Sequence, residues 1–363
     1  MSSENHKTNT AILAAAGSRK TECVVEAALA VADGNVLIAT YTDENQRHIL
    51  RRIEQKVGAM PKHITVMGWF SFLITQCVKP YQRALTKQPF MINGLNFRGR
   101  RCRFTKKVNP GYFMDRNGDL YREGVSDLAI CLNDKTNEAV VDRLERIYSH
   151  VFIDEVQDLA GYDLDVLDLL FASRINVLVV GDPRQYTFAT NLSPRNKKYR
   201  GGGLAQWFSE RKSRCTLETR NCSYRCNQAI CDFADRIFPD FPSTTSRGVP
   251  ASGHDGVFTV PVKLLGAYLR DHGPATALRY DKNADTFGVP AVNIGVAKGT
   301  THDRVIIFPT KPMLEYLKDG DAAALNTCEK LYVAVTRARF SAAFIVPDTW
   351  RNIPVHATAY SNP

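Results

Sequence analysis

The sequence predicts an α/β fold built on two parallel-sheet domains, and three observations carry that expectation. Short apolar runs at 11–16, 36–40, 150–153 and 176–181 alternate with stretches of helical periodicity, the pattern of βαβ units. Chemistry-bearing residues follow these runs at once, which puts them at the carboxyl ends of strands, where open α/β sheets hold their ligands. Beyond residue 220 the chain repeats the habit with apolar runs at 304–308 and 342–346, and 363 residues are long enough for two or three domains.

Taken in order, residues 11–21, Ala-Ile-Leu-Ala-Ala-Ala-Gly-Ser-Arg-Lys-Thr, read as strand, tight loop and helix start. This is a phosphate cradle. Backbone N–H groups around Gly17 and Ser18 would face the phosphates, Lys20 would neutralise the terminal ones, and the Thr21 hydroxyl would ligate Mg²⁺, with Ala16 and Arg19 as the further candidate nucleotide contacts of the loop. The spacing departs twice from G-x-x-x-x-G-K-[ST], with Ala14 at the leading glycine and Arg19 directly before the lysine. Glycine serves there because the backbone approaches phosphate in a permissive conformation. Arg19 therefore either weakens nucleotide binding or adds a cation to the phosphates, and the residues leave both open.

The run 36–42, Val-Leu-Ile-Ala-Thr-Tyr-Thr, is a strand ending at Thr40 and Tyr41. In 66–72, Val-Met-Gly-Trp-Phe-Ser-Phe, the rings of Trp69, Phe70 and Phe72 either stack on bases or pack a helix start, and they rank below Tyr41, Tyr186 and Phe188 as stacking residues. Residues 73–143 interrupt the first lobe. Within them 98–107, Arg-Gly-Arg-Arg-Cys-Arg-Phe-Thr-Lys-Lys, hold six cations and no acid, with Phe97 and Phe104 interleaved.

An apolar strand at 150–153 then runs into Asp154 and Glu155. Asp154 can anchor an Mg²⁺ that bridges terminal phosphates and Glu155 can polarise an attacking water, which is the division of labour phosphoryl transfer requires. Standing alone, the same residues would be a strand end and a solvated acidic turn. After the strand at 176–181 comes Gln185, followed by a second basic cluster, Arg195, Lys197, Lys198 and Arg200, flanked by Phe188, Tyr199 and Trp207. Cations for the backbone and aromatic faces for bases are what a sequence-tolerant single-strand groove needs. Arg98, Arg100, Arg101, Lys197 and Lys198 are the candidate backbone contacts, and Tyr41, Trp69, Tyr186 and Phe188 the candidate stacking rings. The run 201–203, Gly-Gly-Gly, reads as a mobile joint. In the second lobe 224–238 and 329–339 read as helices, the latter carrying Arg337.

Together these stretches resemble, in order and through nearly the whole chain, the UvrD/Rep-like branch of superfamily 1 DNA helicases. Residues 36–42 are similar to motif Ia, 179–185 to motif III, 221–225 (Asn-Cys-Ser-Tyr-Arg) to motif IV, 295–304 to motif V and 332–339 to motif VI. The resemblance implies two RecA-like domains of the P-loop NTPase type, 1–72 with 144–220 and 221–363, and a small inserted 1B subdomain at 73–143. It implies that Gln185 senses the γ-phosphate and couples it to DNA, that Tyr224 stacks on adenine, and that Gly299 lies at the nucleotide. Arg225 and Arg337 would reach the γ-phosphate from the second lobe, and Thr40 and Tyr41 would touch single-stranded DNA. Thr301 stands where the family's motif V usually has glutamate, so the family's ribose contact is not carried over, and no glutamine precedes Ala11 to read the adenine edge, so nucleotide choice is expected to be relaxed. About fifty residues between 238 and 293 leave no room for the family's 2B insertion.

The activity implied is an ATP- and Mg²⁺-dependent helicase or translocase moving 3′ to 5′ on single-stranded or partly duplex DNA. RNA stays open, because the motifs engage backbone and stacking faces common to both polymers. A protein partner such as a nuclease is the expected complement of so small an enzyme. A different class also stays open: a nucleotide-gated DNA-binding sensor or regulatory ATPase subunit with little unwinding.

Composition agrees. The net charge of +10 calls for a polyanion. No apolar run approaches a membrane span and the first residues lack a signal-peptide pattern, so the chain is expected in the cytoplasm, away from membranes. Nine cysteines without framework-like spacing fit reduced thiols, and Cys215, Cys222, Cys226 and Cys231, lacking paired C-x-x-C spacing, read as buried thiols and not a metal site.

Overall fold

The computed structural model describes residues 7–86, 90–99, 101 and 104–361. Arg100 lies outside the described residues. Contacts divide the chain into two compact units, Met1–Leu13 with Lys20–Thr219 and Ala14–Arg19 with Arg220–Pro363.

The strands of the first unit are β1 (Asn9–Ala14), β2 (Val36–Thr40), β3 (Ile64–Gly68), β4 (Gly94–Asn96), β5 (Asp119–Tyr121), β6 (His150–Asp154), β7 (Asn176–Gly181) and β8 (Thr216–Arg220). Six of them form one sheet in the order β3-β2-β6-β7-β1-β8, and β4 pairs separately with β5. The sheet is parallel from β3 through β1, with Thr40 opposite Gly68, Asp154 opposite Val180 and Leu13 opposite Gly181. Parallel strands aligned in this register deliver Thr40, Asp154 and Gly181 to one edge. Every residue of β2 is buried, as expected for an unbroken apolar strand covered on both faces.

The helices of this unit are α1 (Lys20–Leu29), α2 (Asp43–Val57), α3 (Trp69–Phe72), α4 (Val125–Lys135), α5 (Ala139–Ile147), α6 (Tyr162–Ala172) and α7 (Leu204–Ser209). The α2 sequence sets its own limits. Thr42 accepts a hydrogen bond from the Asn45 N–H at 3.1 Å, Asp43 and Glu44 favour the first turn, and Gly58 closes the last turn at φ 81°. Ile49 and Ile53 then face the core.

Among the described residues, the interrupting stretch packs into the core of the sheet and forms no separate cluster. Leu73, Val78, Phe113, Leu120, Val125 and Leu128 join the cluster that holds Leu37, Val151 and Val177 of the sheet. The three glycines 201–203, expected as a mobile joint, instead form a helical turn ahead of α7. Gly201 is buried, and a Cβ on Gly203 would collide with the Lys198 carbonyl oxygen, so close backbone packing explains these residues.

The second unit contains β9 (Cys222–Ser223) paired with β10 (Thr245–Ser246), then β11 (Gly256–Pro261), β12 (Thr276–Arg279), β13 (Val292–Asn293), β14 (His302–Phe308), β15 (Ala338–Val346) and β16 (Thr358–Ala359). The last six form a sheet in the order β13-β12-β14-β15-β11-β16, parallel throughout. Its helices are α8 (Gln228–Ile237), α9 (Leu265–His272), α10 (Lys311–Asp319) and α11 (Cys328–Val335). Two helix limits differ from the sequence expectation. Asn227 caps α8 by accepting from the Ile230 N–H at 3.0 Å, which leaves Tyr224 and Arg225 on the loop before it. Helix α11 ends at Val335, so Arg337 stands between it and β15 rather than on a helix.

Cys215, Cys226 and Cys231 are buried, and burial pushes the Cys215 thiol up to about 11. No helix among the described residues is long and apolar enough to cross a membrane.

Candidate nucleotide and nucleic-acid sites

In the first unit, β6 and the start of α1 bring Asp154 and Thr21 together. The Thr21 hydroxyl donates to Asp154 Oδ2 at 2.8 Å. Burial, then the neighbouring Glu155 charge, pushes the Asp154 carboxyl up to about 6, against the opposing pull of the Thr21 hydrogen bond and the Lys20 ammonium. Two hard oxygen donors on a carboxylate short of positive charge fit a hard divalent cation such as Mg²⁺.

Glu155 adopts φ 60°, in the left-handed region, while its N–H donates to Asp154 Oδ1 at 2.9 Å. Gln157 donates its amide to the Glu155 carboxylate and accepts from the Asp182 N–H at 3.0 Å through Oε1. Asp182 in turn accepts from Gln185 Nε2 at 2.9 Å and from Arg184 Nε at 3.0 Å. Burial opposes ionisation of Asp182, yet the Arg184 and Lys20 charges hold its carboxyl below the usual range. Hydrogen bonds through the Gln157 side chain and the Asp182 backbone N–H and carboxylate thus connect Glu155 to Gln185, and a Cβ at Gly181 would collide with the Gln157 amide that makes the link. Gln157 and Asp182 were missed as functional residues by sequence reasoning. The signal was present, since Asp182 lies within 179–185 and Gln157 stands two residues beyond Glu155.

At the end of β2, Thr40 is buried and its hydroxyl has no hydrogen-bond partner. The Tyr41 ring meets Phe70 edge-on at 5.9 Å, and Phe70 meets Phe97 at 5.8 Å. These rings lead to a cavity of about 750 Å³ lined by Phe97, Arg98, Tyr112, Arg122, Tyr162 and Leu192, among others. Arg98 is exposed at this cavity; elsewhere in the unit Phe188, Lys197 and Lys198 are exposed and Tyr186 is half-buried. Lys198 stands 3.6 Å from Glu210.

Two nucleic-acid candidates are corrected by this geometry. Trp69 is only 1% exposed and donates its indole N–H to Asp163 at 2.8 Å, so it is a core residue without a face for a base. Arg101 is committed to Asp127 at 2.8 Å and Glu123 at 3.4 Å, which makes it a structural cation.

In the second unit the loop Ala14–Arg19 lies along the segment that carries Tyr224. Ala15 N–H donates to the Arg220 carbonyl at 2.9 Å, Ala16 N–H to the Tyr332 hydroxyl at 3.2 Å, and Tyr224 N–H to the Gly17 carbonyl at 2.9 Å. Ser18 N–H donates to the Ala15 carbonyl at 3.2 Å, and the buried Ser18 hydroxyl has no partner. The Ser18 donor, expected to face phosphate, thus faces a protein acceptor, as does that of Ala16. Arg225 Nη1 donates to the Thr336 carbonyl at 3.2 Å. Arg337 is 1% exposed and donates to the Val333 carbonyl at 3.1 Å and the Thr300 carbonyl at 3.2 Å. Both arginines thus converge on the turn after α11, and Gly299, at φ 87°, precedes the Thr300 carbonyl that receives one of them.

Residues 73–191 match the family model of the UvrD/REP helicase N-terminal domain. Over that stretch the chain is UvrD-like. A search of curated proteins found no match. Among solved structures the chain is similar to the Arterivirus nonstructural protein 10 helicase, at 15% identity and a TM-score of 0.48, with 93% of this chain and 59% of that one covered. It is also similar to the same helicase in complex with DNA, at 15% identity and a TM-score of 0.49, with 94% and 61% covered. The chain spans about three fifths of the length of these helicases.

Proposed function

We propose that the chain is an ATP-driven motor of the UvrD type that steps along single-stranded DNA in the 3′ to 5′ direction, acting with a protein partner such as a nuclease. The observation that carries the reading is the Thr21–Asp154 pair at 2.8 Å, flanked by Lys20 and Glu155, since this donor set suits a phosphate-bound Mg²⁺. When bound, the cation neutralises charge on the terminal phosphates.

In the proposed reaction Lys20 binds the terminal phosphates. Glu155, oriented by the Gln157 amide, holds the attacking water and takes its proton. The hydrogen-bonded series from Glu155 through Gln157 and Asp182 to Gln185 supports coupling between the phosphate site and the segment that continues to Tyr186 and Phe188. Tyr41, Phe188, Arg98 and Lys197 are the proposed contacts to the strand.

ATPase activity measured with and without single strands tests the proposal. Lys20→Ala should abolish strand-stimulated hydrolysis, and Glu155→Gln should bind ATP while losing about 10²-fold or more in turnover. Wild-type turnover in Lys20→Ala would overturn the reading. A labelled-duplex assay separates unwinding from translocation, and hydrolysis indifferent to strands would favour the nucleotide-gated sensor instead.

A further inference from the structure

Arg19 stands where the cradle spacing calls for glycine, and its backbone adopts a glycine-like conformation, φ 61°. A long side chain in the left-handed region persists only where its surroundings hold it there. Here the loop is held on both sides of Gly17. The Ala15 and Ala16 N–H groups are bonded to Arg220 and Tyr332, and the Gly17 carbonyl accepts from Tyr224. Gly17 itself approaches so closely that a Cβ would lie 2.5 Å from Ser223 Oγ and 2.6 Å from Arg225 Cβ.

This anchoring sets the direction of the Arg19 side chain. Its guanidinium carbon lies 4.1 Å from the centroid of the Tyr224 ring, well within cation–π range. A planar guanidinium over an aromatic ring occupies the same surface that a stacked nucleobase would use. Tyr224 is the ring proposed for the base.

Taking the proposed nucleotide site as given, we infer that Arg19 is a specificity-determining residue that covers the stacking face of Tyr224. A base that stacks on this face must first displace the guanidinium, so its net gain is only the difference between two contacts of similar strength. Recognition then rests on the triphosphate, and the identity of the base matters little. The protein should accept purine and pyrimidine triphosphates almost alike.

Titration calorimetry of the full chain in Mg²⁺ buffer, with ATP, GTP, CTP and inorganic tripolyphosphate, tests this. Wild type should bind the nucleotides and tripolyphosphate within about threefold of one another. Arg19→Gly, whose glycine suits φ 61°, should tighten ATP by about 2- to 5-fold without tightening tripolyphosphate. Adding Tyr224→Leu should erase that gain, which a merely structural role for Arg19 would not produce. Equal weakening of ATP and tripolyphosphate in Arg19→Gly would make Arg19 a phosphate ligand and overturn the inference. A loss confined to the nucleotides would mean that Arg19 sandwiches the base, and would overturn it too. Nucleotide binding with unchanged base preference would remove this inference alone, whereas no binding of any triphosphate by any variant would remove the proposed function as well.

Discussion

Trp69 gives its indole N–H to Asp163 inside the core, whereas Phe188 is 44% exposed on the segment after β7. Asp163 is held by Ser126 and Thr190 as well, and burial keeps its carboxyl above the usual range despite these bonds. Replacing Trp69 by Phe should therefore cost about 1–3 kcal/mol in urea denaturation, because the carboxyl of Asp163 loses one buried donor. Strand affinity per folded molecule should not change. Phe188→Ala should do the reverse, leaving the urea midpoint nearly fixed and weakening single-strand binding by about 1–3 kcal/mol in fluorescence anisotropy. The sequence could not separate these two rings. The partner of Trp69 lies 94 positions away, and burial is decided only when α6 packs against the stretch that follows β3. Thr21 and Asp154 were legible because both stand at strand or helix ends fixed by local motif spacing.

Four of the six strands of the first sheet were legible for a similar reason, as apolar runs such as 36–40 and 176–181, whereas β3 and β8, only partly buried, left no such run. Helix limits were less so. Helix α11 carries no glycine or proline at its end, and β15 begins at Ala338 through pairing with β11 and β14, partners that no local pattern names. At the element scale, the segment entering β11 also carries a pH-sensitive contact. The His254 ring stacks on His272 of α9 at 3.5 Å and on Phe258 at 4.0 Å, with Tyr268 at its Nε2 and with Arg304 and Asp255 nearby. Burial, then the His272 and Arg304 charges, lowers His254 to about 4 from 6.5. A folded value below the unfolded one means that the unfolded chain binds more protons between them. Stability is full above about 6.5 and is lost as pH falls toward about 4. Discounted for a half-exposed ring, the loss is roughly 1 kcal/mol. Thermal melts across that window should show it, and His254→Gln should flatten the slope.

For the whole molecule, a net charge of +10 is informative only through the cations that face water. Arg101 and Lys107 are tied to Asp127, whereas Arg98 and Lys197 are exposed. Single-strand affinity should fall linearly on a log–log plot against salt, and Arg98→Ala or Lys197→Ala should each reduce the slope by about 0.7, the counterion release of one phosphate. Arg101→Ala should lower stability and leave the slope unchanged, as titrations at several salt concentrations would show. The composition could give the sum of charges but not this division, because the acids that neutralise Arg101 and Lys107 are more than a dozen positions further along the chain. The same limit applies to the loop Ala14–Arg19, read from sequence as one continuous piece with the strand before it and the helix after it. Its contacts place it in the second unit, since chain order does not determine which acceptor an N–H group finds.

That loop has a mechanical corollary. The backbone passes from one unit to the other three times, at 13–14, 19–20 and 219–220. A protease that nicked the chain only at the last crossing would not set the halves adrift, because six residues of the amino-terminal fragment would remain stitched into the carboxyl-terminal one. The loop proposed to cradle phosphate is thus also a tether.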